Sequence, residues 1–218
     1  MSNNPGVLAI WNDCAAGREQ EYERWYRDEH LAERVGIEGF RSGWRYVAVD
    51  AEPRYFTHYV TESPATLFSA AYRARLNAPT ELTRHVMSTG VFVNASRTEC
   101  EQRFRSGHSR GSHVVVLRLE VETGPDTLVA LARDSAARDE VLRSEVWVAS
   151  SSPDAVRSTE QNLRPPDTTI SACLLVETSD EESARDNGER LRSALPGRVT
   201  LGIYRLLVSL VAEDLAGR

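Results

Sequence analysis

The sequence predicts an α+β protein of two tandem ferredoxin-like βαββαβ units whose antiparallel sheets pack face to face. Three observations carry this. Hydrophobic periodicity switches between strand and helix type in the order β-α-β-β-α-β, and the whole order recurs after roughly 100 residues. A short echo, Val60-Thr61-Glu62-Ser63 and Val176-Glu177-Thr178-Ser179, falls at the same place in both repeats. The opening strand of the chain is apolar on both faces, so its sheet needs cover on both sides. Helices supply one cover, and the economical second cover is the other unit's sheet, with a cavity enclosed between them. The first unit is assigned to residues 1–105 and the second to 111–218.

In the first unit, Gly6–Asp13 reads as a strand. A helix follows over Arg18–Val35, with Trp25, Leu31, Ala32 and Val35 on one apolar side and Gly36 near its end. Strands are predicted at Phe40–Val49 and Tyr55–Glu62, around a turn at Asp50–Pro53. Ser63-Pro64 suits an N-cap and first turn, opening a helix to Leu76. A polar, helical segment at Pro79–Met87 precedes a strand at Val91–Thr98.

A polar bridge, Glu101–Gly111, leads to the second unit. There, His113–Val121 and Val141–Ala149 read as strands around a helix at Pro125–Ala137. A long Ser- and Pro-bearing connection spans Ser150–Pro166. Ile170–Glu177 is a strand, and Ser179 with Glu182 three residues on forms a capping box for a helix to Leu195. Pro196-Gly197 makes a turn into the last strand, Val199–Ser209.

Composition narrows the chemistry. The chain has 218 residues, 41% hydrophobic and 27% charged, an ordinary globular balance. Its net charge of −6 argues against a nucleic-acid partner, which needs a basic surface. All 26 basic residues are arginine, so Schiff-base catalysis and a P-loop lysine are excluded. No apolar run reaches the roughly 18 residues that a bilayer requires. The N-terminus carries no export signal, and three widely spaced cysteines suggest neither disulfide nor zinc, so a cytoplasmic setting is expected.

The first unit resembles the dimeric α+β barrel superfamily, particularly its EthD-like members. The likeness rests on Trp25-x4-His30-Leu31, then Gly39-Phe40-x4-Arg45-Tyr46, Tyr55-x3-Tyr59, and the Leu67, Tyr72 and Pro79-Thr80 region. It covers about Gly6 to Thr98, and the second unit matches by element order alone. Glu38 stands where such sequences usually have proline. The resemblance implies two ferredoxin-like units face to face and a cavity for small hydrophobic, often aromatic, molecules. Its members include cofactor-free cyclases, isomerases, dehydratases and monooxygenases, and a neighbouring branch binds haem.

Two histidines stand out. His30 lies on the first helix, where an imidazole can move protons near neutral pH, with Tyr26 four residues earlier as its helix neighbour. His58 interrupts an otherwise apolar strand face, and the echo sets it opposite Leu174 of the second unit. Either ring can instead be a structural core histidine. Should both face one cavity, they form an acid–base pair. Arg41 and Arg45 share a strand face with Gly43 between them. Trp44 and Tyr46 are expected on the other face with Phe40.

The catalytic candidates are His30, His58, Arg45 and Tyr46, and Trp25, Arg41, Trp44 and Tyr59 are candidates for substrate binding. No metal site is expected, since His108 and His113 lack a third ligand. No cofactor is expected either, because no motif selects a haem ligand, and no Gly-x-Ser-x-Gly elbow recommends a serine triad. The favoured expectation is a cofactor-independent lyase or isomerase acting on a small hydrophobic carbonyl compound. The alternatives are a non-catalytic binder or assembly protein, and a haem-dependent enzyme or cofactor-free monooxygenase. The polar Thr159–Asp167 stretch reads as a surface hairpin or a cover for the cavity. Exposed sheet edges make a homodimer the expected assembly.

Overall fold

In the computed structural model, which describes residues 4–120, 124–150, 157–195 and 199–215, strand β1 (Gly6–Cys14) runs between β3 (Tyr55–Thr61) and β4 (Phe92–Ser106). β2 (Phe40–Asp50) pairs with the far side of β3. The second unit repeats the plan: β5 (His113–Leu119) lies between β7 (Ala172–Thr178) and β8 (Val199–Val211), with β6 (Val141–Ala149) beyond β7. All pairings are antiparallel. Two seams, β2 to β8 and β4 to β6, join the half-sheets into a closed eight-stranded barrel.

The expected face-to-face packing is therefore the closure of a barrel. Alternation along each strand sends one set of side chains inward and the next outward. The inward set, including Val7, Trp11, Phe56, Trp147, Cys173 and Tyr204, fills the barrel as one apolar cluster. Outward residues pack under the helices of each half as two further clusters.

Closure required more strand than periodicity shows. β4 continues through the predicted polar bridge to Ser106, because Gln102 points inward and donates to Glu145 at 2.6 Å. An apolar pattern cannot report a buried polar partner. The edges from which a homodimer was expected are paired within the chain, so a dimer would need another surface.

The first helix is α1 (Glu19–Trp25), a π turn (Tyr26–His30) and α2 (Leu31–Val35) in one run. The second predicted helix is two pieces. A 3-10 turn at Pro64–Phe68 ends at Ser69, whose extended backbone and hydroxyl cap α3 (Ala70–Asn77) through Tyr72 N. α4 (Glu81–Ser88) is capped by Thr80. In the second half, α5 (Pro125–Ala136) and α7 (Glu181–Ala194) cover the sheet, and α6 (Thr159–Asn162) is one turn in the long connection. Asp180, not Ser179, caps α7 by accepting from Ser183 N at 2.8 Å. The aspartate out-competes serine because its carboxylate also favours the positive helix end. The predicted turn at Pro196-Gly197, the end of the His113–Val121 strand and residues 151–156 lie outside the described residues.

Register corrects the internal alignment by one residue. Thr61 donates to Ser63 O at 2.9 Å and Thr178 to Asp180 O at 2.8 Å, so these two threonines are the equivalent positions. His58 then matches Leu175, which also faces the barrel interior, and not the outward Leu174. No helix among the described residues is long and apolar enough to cross a membrane.

Candidate functional site

His30 ends the π turn, a local widening of the helix that recurs at functional sites. Its ring lies tilted against Trp25 at 4.0 Å and edge-on to Tyr26 at 5.1 Å, and the residue is 4% exposed. Trp25 is fixed in turn by an indole N–H bond to Thr83 at 3.0 Å. His30 Nδ1 has no hydrogen-bond partner, and Glu33 stands 3.8 Å away. Burial first, then the charges of Arg34, Arg45, Arg164 and Arg75, push the imidazole well below the ordinary histidine range. The ring is therefore held in its neutral form, with Nδ1 unpartnered.

One turn further on, Arg34 lies on the same helix face. It is 2% exposed and ion-paired to Glu160 of α6, while its Nη1 is left without a hydrogen-bond partner. Glu160 belongs to a strap, residues 157–168, that the second half lays over the first. Thr159 N bonds Asn77 Oδ1 at 3.0 Å, and Arg97 N and Thr168 N exchange bonds with Thr168 O and Ala95 O at 2.9 and 3.0 Å. Arg164 forks onto Asp167 and sits 5.0 Å from the centre of the Phe92 ring. The stretch read mainly as a surface hairpin is the cover.

Beneath the strap is a void of about 20 Å³, walled by His30, Tyr26, Arg34, Arg97, Glu160 and Arg164. That is room for about one water molecule. A cleft of about 480 Å³ lies on one side, sharing Tyr72, Leu76, Arg97 and Gln161 with the void. A more apolar cleft of about 630 Å³ lies on the other, sharing Met87, Phe92 and Arg164. The strap divides one groove. Three guanidinium groups line the void, Arg34 paired with Glu160, Arg97 with Glu99 and Arg164 with Asp167. Burial, and after it the charge of neighbouring Arg97, push Arg164 down to about 10.

The remaining predicted residues divide between the faces of the sheet. Arg45 faces the helices, its guanidinium forked onto Glu23 at 2.6 and 2.9 Å and lying over the rings of Tyr22, Tyr26 and Tyr55. Tyr59 shares that side and is fully buried, with its hydroxyl unpartnered. A bulge between Phe40 and Ser42 turns Phe40 to the helix side, away from Trp44 and Tyr46, and leaves Arg41 exposed. Arg41 and Arg45 thus do not share a site. Gly43 makes room for Leu31 and Tyr59 rather than for the arginines.

His58 points into the barrel with Tyr46, its ring 4.9 Å from Trp147 and 5.8 Å from Tyr46. It is fully buried, and neither ring nitrogen has a partner. Trp44 reaches the barrel mouth, under Arg110 at 4.3 Å. The sheet itself separates His58 from His30, so the expected acid–base pair does not form. Arg34 and Arg97 were missed, while Glu160 and Arg164 were noted only as polar groups of the Thr159–Asp167 stretch and given no site role. The spacing His30-x3-Arg34 could have found the first, but only the strap's path brings Arg97, Glu160 and Arg164 to it.

No protein-family model matches the sequence, and no curated protein does. Solved structures do match over nearly the whole chain. An anthrone oxidase-like protein superposes with TM-score 0.60 at 10% identity, over 97% of this chain and 94% of its own. A protein from Fusobacterium nucleatum named as a monooxygenase gives 0.58 at 9% identity, over 97% and 96%. A chlorite dismutase-like protein gives 0.51 at 12% identity, over 98% of each chain. The chain has the fold of the dimeric α+β barrel superfamily, with both units in one polypeptide.

The expected lyase or isomerase is overturned: its histidine pair is split by the sheet, and the similar structures are named for oxidases, monooxygenases and chlorite dismutase. Haem, which the sequence resemblance left as an alternative, does not fit the residues present. His30 faces the guanidinium groups of Arg34, Arg97 and Arg164, whose positive charge opposes an iron centre there, and His58 is sealed in the barrel. His85 is taken by Glu21 at 2.8 Å, and His113 by Ser112 at 2.9 Å. His108 lies on the loop between β4 and β5, and the second-half helices α5 and α7 contain no histidine.

Proposed function

We propose that the chain is a haem-free oxidase or monooxygenase that uses dioxygen on a planar, weakly acidic aromatic molecule bound under the strap of the first unit. The observation that supports this is a neutral, buried His30 facing the Arg34 and Arg164 guanidinium groups across the void, each with a buried nitrogen left unpartnered. Such a base removes a proton from an activated C–H or O–H. Arg34 and Arg164 then hold the resulting anion in a low-dielectric site, where fixed charge acts most strongly. Tyr26, Tyr72 and Phe92 form the aromatic wall and exclude water.

An anthrone illustrates the balance. His30 takes the methylene proton, and the carbanion forms a carbon–oxygen bond with dioxygen. The hydroperoxide loses water to leave the second ketone, so anthrone and dioxygen give anthraquinone and water. His30 first returns its proton to the peroxide anion, then takes the second methylene hydrogen as the O–O bond breaks, and that proton leaves with the hydroxide as water. The void is too small for such a ring, so the strap moves for substrate to enter.

Oxygen consumption with anthrone, measured against its spontaneous oxidation, tests this reading. Wild-type protein is expected to accelerate uptake, and His30→Asn to lose about 100-fold or more of that acceleration. Uptake no faster than the protein-free control, or unaffected by His30→Asn, overturns the proposal.

A further inference from the structure

The Arg34–Glu160 ion pair has the properties of a contact made to be exchanged. Arg34 is anchored on the rigid helix, whereas Glu160 arrives on a single helical turn in a strap from the other unit. Arg34 keeps one buried guanidinium nitrogen unfilled at hydrogen-bond distance, and Glu33, itself tied to Arg75, stands off at 3.6 Å. The fork therefore has a donor to spare on the wall of the void. Gln161 and Arg97, beside the pair, also line the 480 Å³ cleft, so the route from solvent to Arg34 runs along the strap.

We infer that the ligand of this site is an aromatic carboxylate, which enters from that cleft and binds Arg34 in place of Glu160. Glu160 is the site's own stand-in for the ligand's charge. Exchange of one carboxylate for another leaves the buried charge unchanged, which avoids exposing a bare guanidinium to an apolar interior. A bidentate carboxylate would also fill the spare donor that Glu160 leaves open. The inference rests on the reading of this groove as the substrate site, but not on the oxidative chemistry.

The test titrates 2-naphthoate and its neutral isostere 2-naphthamide into the full-length protein, followed by tryptophan fluorescence and by melting temperature. Trp25, tilted against His30, serves as the reporter. The acid is expected to bind wild type more tightly than the amide. Glu160→Gln removes the competing charge and is expected to tighten the acid about ten-fold, as loss of any competing state does, without tightening the amide. The acid should also raise the melting temperature of Glu160→Gln more than that of wild type.

Where Glu160→Gln does not fold, Glu160→Asp keeps the charge but withdraws it by one methylene. The acid is then expected to tighten about three-fold. Equal binding of acid and amide, or an acid affinity unmoved by the variant that folds, overturns the inference. Anthrone is neutral and reports the other proposal: oxygen uptake without a preference for the acid defeats the exchange alone, and the reverse result defeats the oxidative reading alone.

Discussion

Arg34 on α2 and Glu160 on α6 are joined in a buried ion pair across 126 positions of sequence. The pair ties the helix that carries His30 to a segment supplied by the other unit. The first unit's groove is thus completed by the second, and each unit alone would leave a charge bare. Buried pairs of this type contribute little net stability over apolar replacements, yet losing one partner is costly.

That asymmetry gives the first expected outcome. Arg34→Leu and Glu160→Leu should each destabilise the protein, by about 3–5 kcal/mol where a buried charge is left unpaired. The double variant should lose less than the sum by about 2 kcal/mol or more. Urea unfolding of the four proteins measures the coupling, and simple additivity would show that the pair is not formed.

The position of His30 fixes the pH dependence of any proton abstraction. Its pKa in the folded protein lies well below that of a free histidine, because burial and four guanidinium charges disfavour the imidazolium. The base form therefore persists as pH falls through about 6.5, where an ordinary histidine would protonate. A kcat/KM profile should stay level from pH 8 through 6.5 and decline only in stronger acid. A midpoint at or above 6.5 would contradict the described environment.

His58 bears on stability rather than on the site. It is buried with both nitrogens unpartnered, and burial together with Arg110 and Arg143 lowers its pKa well below the ordinary value. Glu145 and Glu177 pair with those arginines nearby. The folded state binds fewer protons at this ring than the unfolded state, so stability falls as pH drops below about 6.5. His58→Leu copies the equivalent Leu175. It should raise stability at pH 7 by about 1 kcal/mol or more, since an unpaired polar group is removed. It should also flatten the decline below pH 6.5 by up to about 1.4 kcal/mol per pH unit. Thermal melts of both proteins at several pH values check both effects.

Gly43 tests the packing of helix on sheet. A Cβ there would stand 2.7 Å from Leu31 Cδ1 and 3.0 Å from the Tyr59 ring. Gly43→Ala should therefore cost about 1–3 kcal/mol by overpacking. An unchanged melting temperature would mean that α2 shifts freely on the sheet.

The order of elements was legible because each strand and helix carries its own apolar pattern, and His30 was legible because a recurrent motif surrounds it. Three things were not. The π turn needs one extra backbone residue that side-chain spacing does not report. The full length of β4 depends on Gln102 meeting Glu145, a contact with β6 that no local pattern encodes. The strap is polar because its charges are answered by Arg34 and Phe92 in the other half, so read alone it resembles a solvated loop. The His30–His58 pairing failed for a simpler reason: neighbouring strand residues alternate between faces, and His58 drew the inward one.

The seams between β2 and β8 and between β4 and β6 have a consequence for how such a sequence can change over generations. In an assembly of two identical chains, every substitution is imposed twice, on the groove that needs it and on the copy that does not. Joining the units in one polypeptide lifts that constraint. One half is free to concentrate arginine and histidine around a groove, and the other to become a scaffold that lends it a strap.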